Sequence, residues 1–276
     1  MKPSMLSNLT DNEANELSKF RFINQISEGR GSIAVIELFD HTTLIEHLNN
    51  IGKLIGSPTQ RVTASLLTKR MAFYAVIHLY TMSVLNKRLN VDIKKMKLVE
   101  KENDLLWLPD FYLGDCIVSE SYGNRTQWRE TIVEDLFTHF FHPLIEALRE
   151  ATRFSKMVMW ENIAIYVFWL YETIMKEEKD IEIKQRAEDD FRYILQEAEG
   201  SLFGPYLQNP LARFNGEKIY REEFNEWIRV RKTCCLSNLL NAKDGKRCKT
   251  CPNGCNMSPF KQDTGTGPSS QKRSRG

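Results

Sequence analysis

The sequence predicts a helix-dominated α+β fold, a single domain with small β-hairpins and a cysteine-rich C-terminal segment. Of its 276 residues, 42% are hydrophobic, and 15 Phe and 5 Trp supply enough apolar volume for a large core. Apolar side chains recur three or four residues apart along much of the chain, which is typical of amphipathic helices. With only 14 Gly and 9 Pro, the composition excludes collagen-like and low-complexity proteins.

Capping residues and apolar spacing place the helices. Asp40 is expected to cap a helix that buries Leu44, Leu48 and Ile51 and ends near Gly52 to Gly56. The next helix is expected over residues 59–89; its second half is apolar all round, which predicts a position in the core. Further helices are expected from about Gln127, with a kink or restart at Pro143; from Lys156 to about Lys176, with Ser155 as the N-cap; and from Ile181 to Ala198.

Other segments lack helical spacing. Residues 1–30 are polar and aperiodic, and we expect a loosely packed lead-in. Residues 97–100 and 105–108 flank a polar turn and predict a β-hairpin. Residues 256–276 are expected to form a disordered basic tail. The expected organisation is a lead-in over 1–30, a helix-dominated domain over 31–228, a cysteine-rich segment over 229–255 and a tail over 256–276.

The net charge of +2 conceals an asymmetry. After Ile228 the chain has eleven Lys/Arg and two Asp/Glu, a charge of +9, whereas the first 228 residues carry −7. An acidic surface over most of the molecule would repel phosphates, so we expect no nucleic-acid partner. A zinc-stabilised nucleic-acid-binding protein is nevertheless an alternative interpretation of the basic, cysteine-bearing C-terminus.

Membrane insertion and secretion are not indicated. The longest apolar stretch, Met71 to Leu85, contains His78 and Thr81 and is shorter than the roughly 18 to 20 residues of a membrane span. The first residues lack the apolar region of a secretory signal. We therefore expect no transmembrane segment.

The cysteines indicate a metal site. Five of the six fall within 22 residues, namely Cys234, Cys235, Cys248, Cys251 and Cys255. The Cys-x-x-Cys half occurs in zinc, redox and cluster sites alike. An adjacent pair is more informative, because neighbouring side chains on extended backbone point to opposite sides and seldom meet at one zinc ion. A 2Fe-2S cluster is wider than one ion, so the adjacent pair favours a cluster.

Three stretches extend this interpretation: Arg231 to Leu236 followed by Cys248 to Pro252, Gly56 to Arg70, and His142 to Leu144 with Trp160 to Ala164. Together they resemble the FhuF-type ferric siderophore reductases, whose hallmark is a C-terminal Cys-Cys-x10-Cys-x-x-Cys motif that binds a 2Fe-2S cluster. The resemblance spans about residues 33–252. It implies that Cys234, Cys235, Cys248 and Cys251 bind a 2Fe-2S cluster, and that the protein is cytoplasmic and reduces hydroxamate-type ferric siderophores.

One departure concerns the loop between the cysteine pairs, which has twelve residues here against ten in the family motif. Cys255 is the candidate replacement if one of the four ligands does not reach the cluster. The sequence has no Gly-x-Gly-x-x-Gly fingerprint or phosphate-binding loop, so the electrons are expected from an external donor such as a ferredoxin or flavodoxin. A siderophore-binding protein of the same fold without redox activity is a further alternative.

Other candidate residues have simpler interpretations. His139 and His142 could share a helix face as metal ligands, but helix-surface or core positions are favoured. For His78 we expect a buried, hydrogen-bonded imidazole, and for Cys116 a buried, inert thiol. Arg61, Lys69 and Arg70 predict a solvated helix face, with contact to an anionic chelate as the alternative.

Overall fold

The computed structural model describes residues 6–101, 104, 106–121, 123–240 and 245–253. The α-helices are α1 Asp11–Ser18, α2 His41–Leu54, α3 Gln60–Ser83, α4 Arg125–Leu136, α5 His142–Thr152, α6 Lys156–Glu177 and α7 Ile181–Arg192. Short 3-10 turns occupy Val35–Phe39, Ala212–Phe214 and Ser237–Leu239, and π-helical turns occupy Phe137–Phe141 and Tyr193–Glu197. No helix among these residues combines the length and apolarity needed to cross a membrane.

The strands are β1 Leu6–Asn8, β2 Phe22–Ile23, β3 Ser32–Ala34, β4 Lys87–Asn90, β5 Lys97–Val99, β6 Asp110–Tyr112, β7 Ile117–Glu120, β8 Ile219–Arg221 and β9 Glu226–Ile228. They form a β1-β7-β4 sheet, a β2-β6-β5-β3 sheet and a β8-β9 hairpin. All pairs are antiparallel except β2 with β6. The fold class is the helix-dominated α+β that the sequence predicts.

The helices α3 and α6 pack against each other at the centre of the molecule. Almost every side chain of α3 from Val62 to Ser83 is buried, as predicted for its apolar half. The helix ends at Ser83 rather than near Leu89, because residues 87–90 form β4 and bond to β7. The prediction for α2 is confirmed: the Asp40 carboxylate accepts hydrogen bonds from two backbone N–H groups, and the predicted apolar face is buried.

The predicted hairpin has a different second strand. β5 pairs with β6 at residues 110–112, whereas residues 106–108 form no strand. The Asp104 carboxylate accepts hydrogen bonds from the backbone N–H groups of Leu106 and Leu108, and Trp107 has a positive φ of 45°. These local hydrogen bonds to the Asp104 side chain replace strand pairing over residues 106–108, so the strand that pairs with β5 begins only after Pro109.

Residues 6–30 also differ from the expected loosely packed lead-in. Thr10 and Glu13 form a reciprocal capping box at the start of α1, and Leu17 and Phe22 are buried in the core. β1 and β2 pair with strands from the second hundred residues of the chain. The capping box was readable in the sequence, but these long-range strand pairs were not.

The restart at Pro143 is confirmed. A π-helical turn follows α4, and α5 begins at His142 with the proline in its first turn, where no backbone N–H is required. Ser155 occupies the N-cap position of α6 as predicted, although its side chain makes no capping hydrogen bond. The predicted helix over 181–198 is α7 followed by the second π-helical turn.

A buried carboxylate joins three helices. Asp190 of α7, which is fully buried, receives two hydrogen bonds from Arg125 of α4 at 2.7 and 2.8 Å and one from Arg129 at 3.0 Å. It also accepts a hydrogen bond from Ser83 of α3 at 2.8 Å. Both oxygens of the Asp190 carboxylate therefore accept hydrogen bonds, which compensates the cost of burying its charge.

We predict that Asp190→Ala lowers the free energy of unfolding by about 3–5 kcal/mol, because it removes the carboxylate that Arg125 and Ser83 share and leaves the buried Arg129 with only the partly exposed Asp189 as its ion-pair partner. The neighbouring Asp189 is a matched control, since it also bonds Arg129 but is 43% exposed. Asp189→Ala should cost no more than about 1 kcal/mol. Urea unfolding followed by circular dichroism measures both, and equal losses would contradict the role given to Asp190.

Candidate functional site

One buried carboxylate attaches the segment before the first cysteine pair to α6. Glu161 accepts hydrogen bonds from the backbone N–H groups of Lys232 at 2.5 Å and Thr233 at 2.8 Å, and from the Thr233 hydroxyl. The buried Arg231 guanidinium lies 3.4 Å from the same carboxylate. Because a buried charge is costly unless it is paired and hydrogen-bonded, these contacts fix residues 231–233 against the helix.

A second set of hydrogen bonds connects the cysteine pair to α3. Asn162 accepts a hydrogen bond from Arg231 at 2.6 Å and donates to the carbonyl and hydroxyl oxygens of Ser65, each at 3.0 Å. The Ser65 hydroxyl donates to the backbone carbonyl of Cys235 at 2.7 Å. The backbone around the cysteine pair is therefore held by both central helices.

The two cysteine-bearing arms are joined through their backbones. The Arg231 N–H donates to the carbonyl of Thr250 at 2.9 Å, and the Cys251 N–H donates to the carbonyl of Cys248 at 3.0 Å, closing the Cys-x-x-Cys turn. After the adjacent pair, Leu236 adopts a left-handed conformation with φ of 59°, uncommon for a residue with a side chain. This turn redirects the chain into the loop between the arms.

The thiols of the two arms influence one another's pKa values. Cys248 lowers the pKa of Cys235, and Cys251 and Cys235 contribute to raising the pKa of Cys234. Within the described ranges, no three His, Cys, Asp or Glu side chains are gathered as the ligands of one ion would be. The fold thus places the two cysteine-bearing arms side by side, with electrostatic interaction between their thiols.

The surroundings distinguish the four sulfurs. Cys235 is buried, with Lys69 Nζ 3.8 Å and Ser237 Oγ 3.2 Å from its Sγ. The hydrogen bond from Cys248 lowers the pKa of Cys235 despite its burial, and the charges of Lys69 and Arg231 lower it further. The same hydrogen bond raises the pKa of Cys248. Deprotonation, which metal binding requires, is therefore easiest at Cys235.

Arg61, Lys69 and Arg70 do not form the solvated face that was expected. Arg61 is exposed, but Lys69 is half-buried beside the cysteines. Arg70 is buried and donates to two backbone carbonyls of the loop before β6, each at 2.9 Å. The loop folds over α3 and covers this part of its polar face, which the sequence pattern of α3 alone did not indicate.

Several cations of the basic C-terminal segment are neutralised. The ion pairs are Arg229 with Glu172 at 2.7 Å, Lys249 with Glu226 at 2.8 Å and Arg231 with Glu161 at 3.4 Å. Lys246 and Arg247 are exposed and form no ion pair with a carboxylate among the residues that the structure describes. Lys246 and Arg247, which directly precede Cys248, thus carry positive charge beside that cysteine.

The histidines lie elsewhere. His78 is buried, but its Nε2 has no hydrogen-bond partner, contrary to expectation, and burial together with Arg88 lowers its pKa to about 3. It lines a cavity of about 560 Å³ together with His139, and none of the four cysteines lines this cavity. His142 instead lies 3.4 Å from the Tyr206 hydroxyl. His139 and His142 therefore do not form a shared site.

Two cysteines remain besides the four predicted ligands. Cys116 is half-buried, and burial raises the pKa of its thiol to about 11, which fits the inert role expected of it. Cys255, the candidate replacement ligand, lies outside the described residues.

The sequence analysis did not identify Ser65, Glu161 or Asn162 as positioning residues. The available signal was the polar pair at 161–162 within an otherwise apolar stretch of α6, because charged and amide groups are buried only when partnered. Their partners are 69 or more residues away in the sequence, so the pattern could not name them.

We predict that Glu161→Gln loosens the segment that precedes the cysteine pair. A glutamine amide cannot accept all the hydrogen bonds of the carboxylate, and bonds to charged groups are worth about 1.5–3 kcal/mol. Amide hydrogen exchange across residues 231–235 should accelerate by about tenfold or more.

The matched control is Glu172→Gln on the same helix, which removes a carboxylate that pairs with Arg229 and Lys218 but does not contact residues 231–235. Exchange across 231–235 should stay unchanged in this variant. If the two variants behaved alike, Glu161 would not be the attachment point.

Comparison with known proteins supplies one match. No curated protein matches the chain. A family model described as "Ferric iron reductase FhuF-like transporter" matches residues 95–221, slightly less than half of the chain. The matched range includes Glu161 and Asn162 and ends before the five C-terminal cysteines, the first of which is Cys234. Over residues 95–221, the chain is similar to the FhuF-like family.

Proposed function

We propose that this protein is a ferric siderophore reductase, and that Cys234, Cys235, Cys248 and Cys251 hold a 2Fe-2S cluster. The observation that carries the proposal is the side-by-side placement of the two cysteine-bearing arms, which the Arg231–Thr250 backbone hydrogen bond joins and whose thiols interact electrostatically. The printed description of the matching family, a ferric iron reductase, supports the same activity.

The donor set fits a two-iron cluster better than a single zinc ion. One zinc ion requires four ligands around one point. Two irons would require two thiolates each, and each arm of this chain supplies two cysteines. Cys234 and Cys235 each interact electrostatically with a cysteine of the other arm, so both members of the adjacent pair are available to a cluster between the arms.

Positive and hydroxyl groups surround the sulfurs. Lys69 lies beside Cys235, Arg247 Nη1 lies 3.8 Å from the Sγ of Cys251, and Thr250 Oγ1 lies 3.6 Å from that of Cys248. Lys69 and Arg247 would stabilise the negative charge of four thiolates around an iron-sulfur centre, and hydrogen bonds to sulfur are one of the factors that set the potential of such a centre. Such a cluster, when bound, stores one electron.

The substrate follows from the chemistry of iron. Ferric iron binds hard hydroxamate oxygens strongly, whereas ferrous iron binds them far more weakly, so adding one electron releases the metal. The chain's own residues would hold the cysteines in place and position the chelate beside them. The electron would come from an external donor such as a ferredoxin or flavodoxin. We propose that the reaction takes place in the cytoplasm.

We predict that protein purified without oxygen is red-brown and contains about two irons and two labile sulfides per chain, because four thiolates complete one such cluster. Cys234→Ser, Cys235→Ser, Cys248→Ser and Cys251→Ser should each lose most of the visible absorbance. Absorbance spectroscopy with iron and sulfide analysis measures this.

Cys116→Ser is the matched control and should keep both colour and iron, and Cys255→Ser should do the same. Stoichiometric zinc without visible absorbance would contradict the cluster and favour the zinc-stabilised alternative. Loss of iron in Cys255→Ser together with retention in one of the four would reassign that ligand.

We further predict that dithionite-reduced protein transfers electrons to ferric hydroxamate or citrate-hydroxamate chelates and much more slowly to tris-catecholate chelates, whose ferric form is harder to reduce. Stopped-flow absorbance follows reoxidation of the protein, and a ferrous trap should accelerate turnover by removing the product. Equal rates for both chelate classes would contradict the substrate assignment. A coloured protein that no chelate reoxidises would favour a binding protein without redox activity.

A further inference from the structure

The cavity of about 560 Å³ that His78 and His139 line lies away from the predicted cysteine ligands. Residues of α3, of β4 and the segment after it, of α4 and of the π-helical turn Phe137–Phe141 enclose it. We propose that this cavity binds an organic ammonium ion, that is, a protonated amine carried on an apolar or aromatic body. Because no cysteine lines the cavity, the inference goes beyond the proposed reductase function and does not depend on it.

The imidazole of His78 is a polar group that the protein itself leaves without a partner. The residue is only 9% exposed, and its side chain forms no hydrogen bond with another residue that the structure describes. Burial and the charge of Arg88 lower the pKa of this histidine to about 3, so one ring nitrogen remains a hydrogen-bond acceptor at neutral pH. Burying a polar group without a partner is costly, and a ligand that donates a hydrogen bond would remove that cost.

The charges at the cavity favour a cation. Arg88 pairs with Asp135, so these two lining charges offset each other. Asp92 is exposed, accepts one backbone hydrogen bond at 3.0 Å and forms no ion pair with a cation that the structure describes. Lys95 interacts with Asp92 through its charge but is itself paired with Asp115. Among the lining Asp and Arg side chains, one carboxylate is therefore left for a bound ammonium ion to neutralise.

The walls of the cavity suit the apolar body of such a ligand. Tyr74 and Phe140 both line it, and their ring centroids lie 4.3 Å apart. Aromatic rings attract cations as well as apolar groups. The aliphatic part of the lining is Leu89, Val91, Ile93, Ile132 and Leu136. The volume lies within the range of about 300–1,000 Å³ that is typical of small-molecule sites.

The backbone at the cavity supports the same assignment. A π-helical turn is rare and frequently occurs at a functional site. The turn Phe137–Phe141 contributes His139 and Phe140 to the lining, and His139 is exposed to the solvent. Pro143 can account for the break in the helix, but not for the polar and aromatic groups that this break brings to the cavity.

Two other occupants are less suited to these residues. A carboxylate ligand would meet the Asp92 carboxylate, and Arg88 is already held by Asp135. Water alone could bond the imidazole, but a cavity that holds only water would not select among amines, alcohols and acids. The affinities of three probes of equal size separate these occupants.

The test is titration calorimetry of the protein purified without oxygen, with phenethylammonium, phenethyl alcohol and phenylpropionate as the probes. The wild type should bind the ammonium ion about tenfold more tightly than the neutral alcohol, and the carboxylate more weakly still, because hydrogen bonds from charged donors are stronger. Asp92→Asn should lower the affinity for the ammonium ion about three- to fivefold, as expected of an exposed ion pair, and leave the affinity for the alcohol unchanged.

The matched control is Glu134→Gln, which removes an exposed carboxylate of α4 that does not line the cavity. It should change the affinity for the ammonium ion less than about twofold, because solvent screens a charge that the ligand does not touch. His78→Phe keeps an aromatic ring but removes the acceptor, and it should weaken binding of the ammonium ion and of the alcohol about tenfold. If His78→Phe does not fold, the two exposed positions still decide the question.

Equal affinity for the ammonium ion and the carboxylate would overturn the inference. So would equal effects of Asp92→Asn and Glu134→Gln, and so would a failure of all three probes to bind at millimolar concentration, which would indicate a cavity filled by water. Reduction of ferric chelates is measured separately, so the ammonium site and the proposed reductase function can fail independently of each other.

Discussion

The site depends on the buried carboxylate of Glu161. Two backbone N–H groups, one hydroxyl and one guanidinium converge on it from residues 231–233. An unpaired buried carboxylate is strongly unfavourable, so detachment of residues 231–233 would leave the Glu161 carboxylate buried without its hydrogen-bond partners. The first two cysteines follow directly, and Arg231 also bonds to the second arm at Thr250. A single charge in the central helix therefore fixes both cysteine arms.

The same constraint makes the site asymmetric. Cys235 is anchored through Ser65 and Asn162 to the packed helices and lies beside Lys69, whereas Cys248 faces the solvent. On the buried side of the site, Cys235 is held rigidly beside the positive charge of Lys69. On the exposed side, Cys248 is accessible from the solvent. This division suits the proposed reductase, in which the cysteines would have to be held while a substrate enters and leaves.

Much of the fold was predictable wherever local signals agreed with tertiary packing. The cap at Asp40, the restart at Pro143 and the apolar half of α3 follow from bonding within one turn or from helical spacing. Predictions were wrong where side chains or distant strands intervened. The hydrogen bonds of Asp104 replace the second strand predicted for the hairpin. Residues 87–90, predicted as the end of α3, instead form β4 and pair with β7. Sequence periodicity reports the burial of a segment but not its partner.

For the site, the sequence by itself determined the candidate ligands: four thiols in two arms, an adjacent pair, and a basic surrounding segment. Only the tertiary structure decided how the two arms are joined, which cations are neutralised and which residues hold the arms. Ser65 and Asn162 act across 170 and 69 positions of sequence separation from their partners Cys235 and Arg231. Residue types define the available chemistry, whereas long-range packing and the need to pair buried charge decide where that chemistry is placed.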